Sequence, residues 1–148
     1  MMAVVSDSIV FAFGQAFYFA AEGVGFVTRN RPLRQEMRAV RHSAWYYWTA
    51  RALRRQGRLD EAFAHAKHSF AALREADRRD TFLQMGGLAI GLLDRLAAEA
   101  GIPGGSRVEL SEALDVFRAM QREPGSSSPE LDRLVAWLEH RVANEYRT

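Results

Sequence analysis

The chain has no cysteine and a single lysine, and both absences narrow what it can be. Without cysteine there is neither a disulfide framework nor a thiolate metal site, which suits a reducing compartment and places the expected location in the cytoplasm. Lys67 stands alone against nineteen arginines in an alanine-rich sequence, a bias associated with a GC-rich bacterial genome. Strand signals are missing too: no stretch alternates apolar and polar residues with enrichment in Val, Ile and Thr. What is there is ordinary for a globular protein. Hydrophobic residues make up 48% and charged residues 26%, so disorder is not the default, and 148 residues suffice for one domain with a real core.

Charge is distributed unevenly. The formal net charge is only +2, yet residues 29–58 hold nine arginines against the single acid Glu36, a local balance of +8. Residues 1–28 carry Asp7 and Glu22 and no base, and residues 59–148 are net acidic. Residues 9–27 are nearly continuously apolar, and about 20 such residues can cross a bilayer. Gln15 and Glu22 interrupt that stretch, Gly14, Gly23 and Gly25 loosen it, and Asp7 occupies the place where a signal peptide carries a base. Arg29, Arg31 and Arg34 after it would suit the positive-inside rule. The favoured reading is a buried or oligomer-forming helix; a membrane anchor through 9–27 is the alternative.

Apolar residues recur at helical spacing through the rest of the sequence. Leu59, Ala62, Phe63, Ala66, Phe70 and Leu73 form one stripe, and Leu110, Ala113, Leu114, Phe117 and Met120 another. Similar stripes run through Leu33–Trp48, Met85–Leu96 and Leu131–Val142. The punctuation agrees. Gly57 suits a left-handed helix end, Asp60 is placed to cap the next helix, and Gly101 with Pro103 makes a second stop. Ser106 with Glu109 reads as a capping box, and Ser128 before Pro129 as another start. The expectation is an all-α fold of about six helices, near 7–28, 32–56, 59–76, 80–100, 107–122 and 129–146. Short connections make successive helices antiparallel, stacked as hairpins in a single domain over 1–148.

Residues 44–73 read AWYYWTARALRRQGRLDEAFAHAKHSFAAL. Ala50 is small where two helices of a hairpin would cross, Gly57 makes the turn, Asp60-Glu61-Ala62 opens the second helix, and Ala62 and Ser69 are small at further close contacts. With its G-x-x-D-E-A run, this stretch resembles a tetratricopeptide repeat, a helix–turn–helix unit of 34 residues. It departs from the family at Thr49, where a large aliphatic is usual, at Ala66, where an aromatic is usual, and in lacking a proline after the second helix. Residues 80–122 read as a degenerate second copy, with Ser111-Glu112-Ala113 echoing the helix opening and an extra loop at 101–105. The resemblance implies tetratricopeptide-like hairpins over 31–122, an apolar helix over 1–30 before them and a capping helix over 128–147 after them.

The resemblance also implies a site. In such repeats the first helix of each hairpin lines a concave groove that holds a peptide, and the matching positions here are Ala44, Tyr47, Arg51, Arg54 and Arg55. Arginine forks pair bidentately with carboxylates, so an acidic segment or a free carboxyl terminus is the expected ligand. The plain alternative is a solvated basic face; a further one is pairing with the acidic half of a second copy. Too few repeats are visible for a solenoid to stand alone, so self-association or a larger complex is expected. The function expected is therefore a non-enzymatic adaptor with no cofactor.

Other constellations are weaker. Glu61, His65 and His68 share a helix face and could be zinc ligands, but no second ligand-bearing helix completes them. Trp45, Tyr46, Tyr47 and Trp48 among arginines would suit stacked bases, yet four consecutive aromatics point all round a helix and no nucleic-acid motif accompanies them. Gly104-Gly105-Ser106 lacks a phosphate-loop pattern, and Ser126–Ser128 lack a base partner in sequence.

Overall fold

The computed structural model describes Gln15 and residues 31–73, 79–125 and 128–145. Every regular element among them is a helix: α1 (Arg31–Arg55), α2 (Leu59–Ala72), α3 (Arg79–Ala100), α4 (Arg107–Gln121) and α5 (Pro129–Glu145). The all-α expectation is borne out. The helix expected near 7–28 lies outside the described residues except for Gln15, whose side-chain amide donates to the Arg41 carbonyl at 3.2 Å. Among the described residues, no helix is long and apolar enough to cross a membrane.

Glycine ends α1 and α3 at the positions expected from the sequence. Gly57 has φ 75°, and the Arg58 amide reaches back to the Leu53 carbonyl while the Gly57 amide reaches Arg54, both at 3.0 Å. This pairing satisfies carbonyls that the helix end would otherwise orphan. Gly101, at φ 62°, repeats the device with Ile102 bonded to Ala97 at 3.2 Å. Ser128 caps α5, its hydroxyl accepting from the Leu131 amide at 3.2 Å.

Two caps differ from expectation. The residue before α2 is Arg58, which caps through no side chain, and Asp60 lies inside the first turn with Glu61. There the two carboxylates favour the helix through its dipole instead. Ser106 precedes α4 as expected, but its hydroxyl makes no cap and donates to Asp94 of α3 at 3.1 Å. Ser106 is fully buried against α3, where a carboxylate is the stronger acceptor, and Glu109 turns to Lys67 at 3.1 Å.

The core consists of two apolar clusters that meet on α3. The first joins Ala50 and Leu53 of α1 to Ala62 and Ala66 of α2 and to Leu92, Leu93 and Leu96 of α3. The second joins Phe70 and Leu73 of α2 to Ala89 and Ile90 of α3, to Leu110 and Phe117 of α4, and to Leu131 and Leu138 of α5. Each large side chain buried this fully favours folding by ~1.5–3 kcal/mol. α3 is thus apolar on two sides and acts as the central rod.

α1 and α2 pack most extensively, and small residues are what let them approach. Ala50, Ala62, Ala66 and Ser69 are all 0% exposed. Near the far end of the contact the Ser69 hydroxyl donates to the Ser43 carbonyl at 2.9 Å, with the two hydroxyl oxygens 3.1 Å apart, so no buried hydroxyl there lacks a partner. α3 and α4 meet over a much shorter stretch, and α4 lies chiefly along α5. The six-residue connection 101–106 is long enough for those helices to diverge, so this pair is not a close copy of the first.

Candidate functional site

The arginine face is set by the end of α1. Arg51, Arg54 and Arg55 stand three and four residues apart, which stacks them on one side of a helix. Arg54 and Arg55 fall in its last turn, where the dipole favours positive charge. The absence of acids in the first turn of α1 fits the same concentration of charge.

Arg51 and Arg54 make defined contacts. The Arg51 guanidinium lies 4.8 Å from the centre of the Trp48 ring and 5.9 Å from that of Tyr47. Stacking of this kind contributes ~0.5–1 kcal/mol at an exposed site and holds the charge in a fixed direction. Tyr47 and Trp48 stand edge to face with centroids 5.5 Å apart, and Tyr47 leans on the first apolar cluster. Arg54 forms a fork on Glu99 of α3, with Nε to Oε2 at 2.8 Å and Nη2 to Oε1 at 2.5 Å. That hydrogen bonding holds the Glu99 carboxyl below its ordinary range, with the charges of Arg54 and Arg95 acting in the same direction. Arg55 is exposed.

One expected groove position fails. Ala44 is only 5% exposed, so it is closed into the interior and presents nothing to a ligand. The structure does bring Tyr47, Arg51 and Arg54 together, and it adds Glu99. Nothing in the sequence pointed to Glu99, because the contact links positions 45 residues apart.

The four consecutive aromatics divide between two sides of α1. Tyr47 and Trp48 serve Arg51. Trp45 and Tyr46 turn to the imidazoles of α2, with Tyr46 5.9 Å from His65 and 5.2 Å from His68. Trp45 is 43% exposed. Glu61, His65 and His68 do not converge as ligands: the Glu61 carboxylate is taken by Arg58, and His65 Nδ1 lies 2.8 Å from the Glu61 carbonyl. Among the described residues no three His, Asp or Glu side chains gather as a metal site.

Elsewhere the ionic contacts tie helices together. Asp94 of α3 receives Ser106 and, at 2.8 Å, Arg141 of α5, while Arg118 of α4 pairs with Glu139 of α5 at 2.8 Å. A cavity of about 280 Å³ opens between α2, α3 and α4 over Phe70 and Leu93, with Lys67, Glu109 and Glu112 at its rim. Its rim carries both signs of charge and includes the Lys67–Glu109 pair, so it offers no field of one sign to a ligand.

A scan against protein-family models finds no match, and no curated protein or solved structure matches the sequence.

Proposed function

We propose that this protein is a non-enzymatic adaptor, built as tetratricopeptide-like stacked hairpins, that holds an acidic segment of a protein partner against the arginine face of α1. The observation that carries the reading is the Arg54 fork. It already grips a carboxylate through two parallel bonds, beside an Arg51 guanidinium fixed over Trp48. The close α1–α2 contact through Ala50, Ala62 and Ser69 supports the hairpin part of the proposal, because a tetratricopeptide-like pair needs small residues at such crossings.

Recognition on this face is electrostatic and directional. Arg51 and Arg54 offer planar forks that match carboxylate geometry, which lysine would not, and Tyr47 and Trp48 supply apolar area beside them. A run of glutamates or aspartates, or a free carboxyl terminus, presents the complementary chemistry.

The test is direct. Fluorescein-labelled hexaglutamate is titrated against the wild type and against an Arg51→Glu/Arg54→Glu variant at low ionic strength, with helicity followed by circular dichroism. Binding should be lost in the variant while helicity is kept. Equal binding by both proteins would remove the proposal.

A further inference from the structure

The cavity between α2, α3 and α4 lies apart from the arginine face. Ala64, Lys67, His68 and Ala71 line it from one side of α2 at helical spacing, and the two alanines leave space beside α4 that longer side chains would fill. Phe70 and Leu93 close the floor and are themselves almost fully buried. At about 280 Å³ the space lies just under the size at which small-molecule sites begin, about 300 Å³.

The mouth sets one ammonium beside one carboxylate: Lys67 Nζ lies 3.1 Å from Glu109 Oε1, with the two side chains 50% and 17% exposed. Lys67 is the chain's only lysine. An arginine here would turn both arms of its fork on one carboxylate, whereas an ammonium has three N–H donors and can serve two carboxylates at once. Contact through Oε1 likewise leaves Glu109 Oε2 as an acceptor. A guest therefore adds to this pair without breaking it. Glu112, three residues on, holds a contact of its own, so the acceptor is Glu109 alone.

We propose that this cavity binds a small zwitterion with an apolar side chain, the chemistry of a free α-amino acid. Its carboxylate meets Lys67 Nζ, its ammonium meets Glu109 Oε2, and its side chain lies between Ala64 and Ala71 over Phe70. An α-amino acid carries both charges on one carbon, a spacing that suits groups side by side at 3.1 Å. The four charges then alternate in sign around the mouth, an arrangement that neither a fatty acid nor a simple amine completes. This site is independent of the adaptor reading.

The experiment is an amide chemical-shift titration of the full chain with L-phenylalanine, N-acetyl-L-phenylalanine and L-phenylalaninol. Phenylalanine should shift residues 64–71 of α2 and 109–112 of α4 in a saturable manner. The two analogues, each lacking one charge, should bind about two- to fivefold more weakly, the scale of one exposed ion contact. Lys67→Gln should abolish the preference over phenylalaninol and keep that over the acetyl compound, and Glu109→Gln should do the reverse. Absence of saturable shifts at the cavity, equal affinity of the wild type for all three probes, or a preference that survives loss of its own partner overturns the proposal. The three-probe comparison on the wild type decides it even where a variant fails to fold.

Discussion

Replacing Ala50 with leucine should destabilise the protein markedly, whereas the same change two residues later should not. Ala50 is fully enclosed by the first apolar cluster, among Leu53, Ala62 and Ala66, where two helices meet through small side chains. An isobutyl group in place of a methyl has no room there unless α1 and α2 move apart or neighbouring side chains leave their rotamers. Overpacking of that kind costs ~1–3 kcal/mol. A protein of this size loses ~2–4 °C in Tm per kcal/mol, so Ala50→Leu should lower Tm by about 2–12 °C. Ala52 is exposed on the same helix, and leucine matches alanine closely in helix propensity. Ala52→Leu should therefore stay within about 0.5 kcal/mol of wild type. Thermal unfolding followed by circular dichroism compares the two. Equal shifts, or a rise in Tm for Ala50→Leu, would refute the claim that small residues set the α1–α2 distance.

Two further predictions concern polar groups. Ser106→Ala should cost about 1 kcal/mol in urea unfolding through loss of its bond to Asp94, non-additively with Asp94→Asn and additively with Glu109→Gln; coupling to Glu109 instead would restore the capping box. Glu99 has its folded pKa held below the ordinary carboxyl value by the Arg54 hydrogen bond, so its contribution is present above that ordinary value and fades as pH falls through the lower folded one. The Tm gap between wild type and Glu99→Gln seen at neutral pH should close on acidification, and a gap independent of pH would contradict the pairing.

The elements were legible in the sequence because their signals are local. Apolar spacing marked Phe70, Leu110, Phe117 and Leu138, all of which are buried, and Gly57 and Gly101 take the left-handed conformations that end α1 and α3. Small residues at 50, 62 and 69 indicated a close contact for the same reason. What failed depended on residues far away along the backbone. Ser106 followed by Glu109 carries the local pattern of a capping box, but Asp94 and Lys67 draw the two side chains apart. The arginine face was legible as residue types at helical spacing. Its partner Glu99 was not, since no periodicity links positions 45 residues apart. Ala44 was misplaced because a repeat-derived position carries no information on burial in this chain, and here Ala44 is only 5% exposed.

The central claim is that the end of α1 takes up an acidic peptide, and amide chemical-shift mapping tests it most directly. Adding hexaglutamate to isotopically labelled protein should shift residues 47–55 of α1 and 95–99 of α3 in a saturable, salt-sensitive manner. Shifts gathered instead around Arg118, Arg122 and Arg133 on α4 and α5, or none at all, would contradict it.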